Sequence, residues 1–335
     1  MVRVGVIGCG YWGPNLIRNF STCPTASLQM ICDMDPERLA RVAAQYPAAE
    51  TVTDSEAVWA SDQIDAVAIA TPVRTHFELA RAALEAGKHV LIEKPMTQTV
   101  AEAEGLVRLA ETKGRVLMVD HTYLYMGAVR KIKDLVDGGE LGELYYVDSV
   151  RINLGLFQHD VNVVWDLAPH DLSLVDHVTG REARSLAATG ASHTDRGIED
   201  VAYLSVDLGE NLIANFHFNW LSPVKIRRII FGGSKKSIVF DDLSPDEKVR
   251  VYDRGIEVSR DPEAVRQTMI GYRTGDIWVP KLDTTEPLQT MVRHFADCIE
   301  AGKRPLSDGE AGLRTVRILE AAQRSIQAQG GRIVL

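Results

Sequence analysis

The sequence predicts an α/β protein in two parts: a doubly wound parallel sheet over residues 1–120, then an α+β domain over residues 121–335 built on a large, mostly antiparallel open sheet. Three observations predict it. The chain opens with an alternating apolar strand that runs into a glycine turn, Gly8-Cys9-Gly10-Tyr11-Trp12-Gly13. Strand and helix patterns then alternate as far as Asp120, which requires right-handed crossovers and a parallel sheet covered on both faces. From Ser185 onward, short strands with period-two alternation follow one another without helices between them, the mark of antiparallel pairing.

In chain order, Val2, Val4, Val6 and Ile7 make the first strand. In the turn after it, Gly8 bends the chain tightly, Gly10 lets the backbone approach a pyrophosphate, and Gly13 lets the next helix pack close to the strand. This is the dinucleotide-binding turn of a Rossmann domain, and Tyr11 and Trp12 go with it as cofactor-binding candidates. Pro14 falls in the first helical turn, where a missing N–H costs nothing, and the free N–H groups and positive dipole end of that helix suit phosphate. Leu28–Cys32 is the second strand and ends at Asp33. An acidic residue there accepts hydrogen bonds from an adenosine ribose and repels a 2′-phosphate, so NAD is expected in preference to NADP, with Asp35 as an alternative ribose ligand.

Pro36–Tyr46 has a helical pattern, with Leu39, Val42 and Ala43 on one face, and Thr53–Ala60 is a short helix before the strand Ala66–Ala70. Thr71, Pro72 and His76, at the end of that strand, are expected to line the cofactor groove. Thr75–Ala86 is a helix ending at Gly87, His89–Ile92 a strand, Thr99–Thr112 a helix stopped by Gly114, and Val116–Val119 a strand. The second part starts with a helix over 127–137, the strand Leu144–Ile152 and a helix from about Asp166 to Val178. The strands Ser185–Thr189, Val201–Asp207, Leu212–Trp220, Ile226–Phe231 and Lys236–Phe240 follow. Two closing helices, Pro287–Ala301 and Asp308–Gln327, are expected to cover one face of this sheet. The other face, left apolar, would join copies into a homodimer or homotetramer.

Composition narrows the classes. The 335 residues suffice for two cores, and 45% hydrophobic residues is ordinary for a globular protein. No apolar run is long enough to span a membrane and a strand begins at once, so a cytoplasmic protein without a signal peptide or membrane partner is expected. Cys9, Cys23, Cys32 and Cys298 show neither metal spacing nor a disulfide framework, and no metal is expected. A net charge of −9 with no basic block argues against nucleic acid as a partner.

Two stretches carry chemistry. Glu93-Lys94-Pro95 stands at the C-terminal end of a parallel strand, where an open α/β sheet binds its ligand. There Lys94 could steady a developing alkoxide, or simply cap a strand at the surface; the Lys94–Pro95 bond is one where a cis peptide is cheap. In Trp165-Asp166-Leu167-Ala168-Pro169-His170, Asp166 as N-cap would put Pro169 in the first turn and His170 one turn on. The helix dipole would disfavour the charged imidazole and leave a base; a plain capping pair is the alternative.

The glycine turn, Glu93-Lys94-Pro95, and Asp166 with His170 four positions later occur in the order and at the approximate spacing of Gfo/Idh/MocA oxidoreductases, which this chain resembles over essentially its full length. The resemblance implies that Lys94 and His170 flank the nicotinamide, that Asp166 orients the substrate, and that the second domain is an open antiparallel sheet. Two departures bear on specificity. Where many members carry a glycine-rich run, this chain has His159-Asp160-Val161-Asn162-Val163-Val164-Trp165, and His121-Thr122-Tyr123 stands where many have an asparagine and an arginine. This wording resembles the branch acting on nucleotide-linked sugars, including UDP-N-acetylglucosamine 3-dehydrogenases and related 3-ketoreductases.

The expected function is an NAD-dependent dehydrogenase oxidising a secondary hydroxyl of a sugar or sugar nucleotide, with C3 of a UDP-N-acetylhexosamine foremost. His170 is the base, Lys94 stabilises the alkoxide, and Asp166 holds His170 or a neighbouring hydroxyl. Glu93 and Lys94 would touch the cofactor, and Tyr123, Arg151, Asn153 and Asn162 would read sugar hydroxyls or a phosphate. His217 and Trp220 are expected at a subunit interface. Competing expectations are an NAD(P)H-dependent 3-ketoreductase, an inositol or free-sugar dehydrogenase, an NAD-dependent glycosidase and a non-catalytic NAD-binding redox sensor.

Overall fold

A computed structural model describes residues 1–155, 161–194, 197–258 and 270–335, so His159 and Asp160 lie outside the described residues. The chain forms two compact units, Met1–Met126 with Thr285–Glu320, and Gly127–Thr284 with Ala321–Leu335.

The first unit holds β1 (Val2–Ile7), β2 (Ala26–Cys32), β3 (Glu50–Val52), β4 (Ala66–Ile69), β5 (His89–Ile92) and β6 (Leu117–Val119), in the order β3-β2-β1-β4-β5-β6. All five pairings are parallel. Ala66–Ile69 and Val90–Ile92 are wholly buried, as continuous apolar strands covered on both faces must be. The crossovers are α1 (Gly13–Ser21), α2 (Pro36–Ala43), α3 (Glu56–Ala60), α4 (His76–Glu85) and α5 (Val100–Lys113). Thr99 and Glu102 close a capping box on α5, and Gly114, at φ 61°, ends it in the left-handed conformation. The connections reverse direction between β1 and β4, the place where such a sheet opens a ligand crevice.

Of the later helices, α6 (Gly127–Asp137) and α7 (Val163–Thr179) belong to the second unit, whereas α8 (Pro287–Ala301) belongs to the first. A final helix, α9, runs over Gly309–Gln327. The apolar stripe Leu288-Met291-Val292-Phe295-Ala296 of α8 joins the core that also holds Leu16, Phe20 and Val4, with Phe295 edge-on to Phe20 at 6.5 Å between ring centroids. This corrects the expectation that the helix covers the antiparallel sheet. Helical periodicity shows that a stripe is buried but not which surface buries it.

Among the described residues the second unit holds nine strands: β7 (Leu144–Leu154), β8 (Ser185–Ala191), β9 (Val201–Asp207), β10 (Ile213–Asn219), β11 (Leu221–Gly233), β12 (Ser237–Asp241), β13 (Val249–Val258), β14 (Ile270–Trp278) and β15 (Ile333–Val334). Their order is β14-β13-β12-β11-β7-β10-β9-β8-β15. Among the described residues β7 and β10 pair in parallel and every other neighbour pairs antiparallel. β13 to β15 exceed the five strands legible beyond Ser185. In β13 Val249 and Val251 alternate, but Asp253-Arg254-Gly255 breaks the period, and β15 is only two residues long.

Leu204, Val206, Ala214, Phe216 and Phe218 point to the buried face of this sheet, over which α7 lies. The opposite face is mixed rather than apolar. Tyr203 stacks on His217 at 4.4 Å between centroids, and Asn215 donates to Asp148 at 3.3 Å. These residues line an open groove of about 630 Å³. Among the described residues no helix is long and apolar enough to cross a membrane.

Candidate active site

In the first unit the turn after β1 is fixed by close approach. Gly8 sits at φ +99°, and a Cβ there would lie 2.6 Å from the carbonyl oxygen of Ala70; a Cβ on Gly13 would lie 1.8 Å from that of Gly8. Around Gly10 the space is open, with Arg38 Nη1 nearest at 4.0 Å. A bare backbone with open space at Gly10, at the N-terminus of α1, fits a pyrophosphate. Tyr11 is 90% exposed beside it, whereas Trp12 turns inward and its indole N–H donates to Asp120 Oδ2 at 2.8 Å.

Asp33 is buried at the end of β2, where its two oxygens accept the backbone N–H groups of Cys9 at 2.5 Å and Asp35 at 2.8 Å. Its carboxylate therefore braces the glycine turn, and each oxygen keeps a second lone pair for a ribose hydroxyl. Asp35, the alternative ribose ligand, is the N-cap of α2: it accepts from the N–H groups of Glu37 and Arg38 at 2.9 and 3.2 Å.

At the end of β4, Thr71 lies against Gly8 and accepts a hydrogen bond from Thr75 at 2.7 Å, while Pro72 is exposed. His76 does not line a groove. It is 1% exposed, with Nδ1 3.0 Å from the Pro95 carbonyl and Nε2 2.8 Å from that of Thr71, so it ties together the turns after β4 and β5. Burial holds its imidazole below the usual histidine range.

The Lys94–Pro95 peptide is cis, and Lys94 is half-buried. Glu93, next to it, is half-buried. Its Oε2 accepts the Lys94 N–H at 3.1 Å, its Oε1 is enclosed, and the residue stands beside Asp120 at the ends of the paired strands β5 and β6. Burial first, then Asp120, pushes the Glu93 carboxyl well above the usual carboxylate range. Next to Asp120, burial pushes the His121 imidazole down to about 4; Lys94 and Arg314 add to this and Asp120 opposes it. Tyr123 is half-buried on the single turn Thr122–Tyr125 of the same unit.

In the second unit α7 begins at Val163, earlier than expected. Its N-cap is Asn162, which accepts from Val164 and Trp165 N–H at 3.1 Å each and donates to Glu199 at 2.8 Å and Gln323 at 2.6 Å. Asn and Asp cap equally well, and the apolar pair after Asn162 extends the helix back to it. Three expectations change. Asn162 is a buried cap and not a sugar reader, Pro169 sits inside the helix, and His170 lies two turns beyond the N-terminus, where the dipole has faded. Asp166 and His170 remain one turn apart on one side of α7, both half-buried.

Asp166 Oδ2 accepts from the indole N–H of Trp220 at 3.2 Å, and Trp220 is 1% exposed. Trp220 therefore supports the candidate site and is not an interface residue. Arg151 is also internal: it is 4% exposed, and its Nε donates to Asp171 Oδ1 at 2.8 Å while Ser149 donates to Oδ2 at 2.8 Å. Asn153, near the end of β7, is half-buried. Sequence reasoning missed Asp120 and Trp220. For Asp120 a usable signal existed, because it ends a parallel strand just as Lys94 does.

A parallel sheet in the order 3-2-1-4-5-6, with a glycine cradle and an acidic residue closing β2, defines a dinucleotide-dependent oxidoreductase. The family model described as "Oxidoreductase family, NAD-binding Rossmann fold" matches residues 2–121, and the GFO/IDH/MocA C-terminal domain matches residues 129–239. The chain is 28% identical to UDP-N-acetylglucosamine 3-dehydrogenase of Acidithiobacillus ferrooxidans over 98% of each chain. A crystal form of that enzyme, GnnA, superposes with a TM-score of 0.79 at 27% identity, over 97% of each chain. The oxidoreductase YdgJ of Escherichia coli K12 is 30% identical over 74% of this chain and 73% of its own. The protein belongs to the Gfo/Idh/MocA oxidoreductase family and carries its NAD-binding domain.

Proposed function

We propose that the protein oxidises a secondary hydroxyl of a nucleotide-linked sugar, with C3 of a UDP-N-acetylhexosamine as the foremost substrate. The carrying observation is end-to-end likeness to a UDP-N-acetylglucosamine 3-dehydrogenase, over 98% of both chains. Bound NAD would supply the hydride acceptor. His170 takes the hydroxyl proton, so that charge never fully accumulates on the oxygen. Lys94, its backbone held through Glu93, places a cation at the developing alkoxide. Asp166, fixed by Trp220, orients His170 or the neighbouring hydroxyl. Tyr123 and Asn153 are the remaining candidate sugar contacts. We further propose a cytoplasmic homodimer or homotetramer joined through the outer face of the large sheet around Tyr203 and His217.

The test is NADH absorbance with NAD and a panel of UDP-sugars, free sugars and inositols, with products assayed. Reduction with a UDP-N-acetylhexosamine is the expected result. Reduction with inositols or free sugars alone would overturn the substrate class, and cleavage without net NADH would overturn the reaction. In the active pairing, Lys94→Ala and His170→Ala each lose at least about a hundredfold in kcat while still binding NAD; unchanged turnover in both refutes the assigned roles.

A further inference from the structure

Glu93 and Asp120 end the paired strands β5 and β6 side by side, two carboxylates that the proposed reaction does not use. Asp120, 1% exposed, is surrounded by donors: Oδ2 receives the Trp12 indole N–H at 2.8 Å, and Oδ1 receives the backbone N–H of Thr122 at 3.1 Å and its hydroxyl. Each Asp120 oxygen therefore has a donor. Glu93 presents the opposite picture. Its Oε2 holds the Lys94 N–H, but Oε1 is sealed from water with no donor among the described residues, and the side chain stands beside Asp120 at the ends of the paired strands β5 and β6. An acceptor enclosed against another acceptor is costly, and the conflict vanishes if that oxygen carries a proton.

We infer that Glu93 is held as a neutral carboxylic acid donating its proton to Asp120, and that this one-proton pair is a positioning element joining the Trp12 turn of the nucleotide cradle to the backbone of Lys94. The inference rests on the role proposed for Lys94, but the protonation state does not. The other charged or titratable groups around the pair are Lys94 itself, His121 and Tyr125, with Arg314 of α9 acting on His121 and His76 of α4 near Lys94. Lys94 favours loss of the proton; burial and Asp120 oppose it and prevail.

Gln is a close mimic of this state: its oxygen can accept the Lys94 N–H and its amide can donate to Asp120. Ala removes both bonds. In the full-length protein, the infrared difference spectrum between neutral and alkaline pH should show a carboxylic acid C=O band that disappears on alkalinisation and is missing from E93Q. E93A should lose at least about tenfold in kcat, E93Q should recover most of that loss, and E93Q should lack the alkaline fall in kcat that ionisation of Glu93 produces in the natural protein. Identical infrared spectra for the natural protein and E93Q overturn the protonation state, whatever substrate the enzyme uses. Activity in E93A equal to the natural protein, or E93Q as impaired as E93A, overturns the positioning role.

Discussion

Asp33 bears two loads at once. It braces the backbone of Cys9 and Asp35 and stands where an adenosine ribose would meet an acceptor. Asp33→Ser should therefore weaken NAD binding by about ten- to a hundredfold, the worth of a charged hydrogen bond. NADP binding should weaken less, because a 2′-phosphate no longer faces a carboxylate. Calorimetric titration of both dinucleotides checks this, and unchanged NAD affinity would leave Asp33 as a brace alone. The position of Asp33 after an apolar strand was legible in the sequence. Its two backbone bonds were not, since they depend on the turn and the strand end being folded against each other.

At the scale of elements, the pairing of β7 with α7 decides what Arg151 does. Arg151 was expected to read a sugar hydroxyl or a phosphate, but on the inward side of β7 it meets Asp171 of α7 with both groups out of water. Removing one partner of a buried ion pair strands the other. Arg151→Ala should cost about 3–5 kcal/mol in urea unfolding; a raised KM at unaltered stability would instead make Arg151 a substrate reader. The start of α7 follows the same logic. The Asp166-to-His170 spacing was visible in the chain, yet the cap lay at Asn162, because either residue type can cap and only packing against Glu199 and Gln323 selects between them.

At the scale of the whole molecule, acid stability reflects histidines that fold in neutral. Burial pushes His89 and His121 from 6.5 down to about 4 each. Unfolded histidine binds protons first as pH falls, so the unfolded state gains protons over the native one and stability declines between about pH 6.5 and 4. The urea midpoint should fall on going from about pH 7 to about pH 5, and His121→Asn should flatten that slope; a midpoint rising with acid would contradict it. The parallel sheet, the glycine cradle, the cis Lys94–Pro95 bond and the Asp166–His170 pair could all be argued from the chain, because each depends on local periodicity, turn chemistry or short spacing. Tertiary structure alone decided that α8 closes the parallel-sheet unit, that Trp220 holds Asp166, that Arg151 is spent on Asp171, and that Glu93 meets Asp120. Those partners lie far apart in sequence, and burial, which sets the charge each group carries, exists only once the chain has folded.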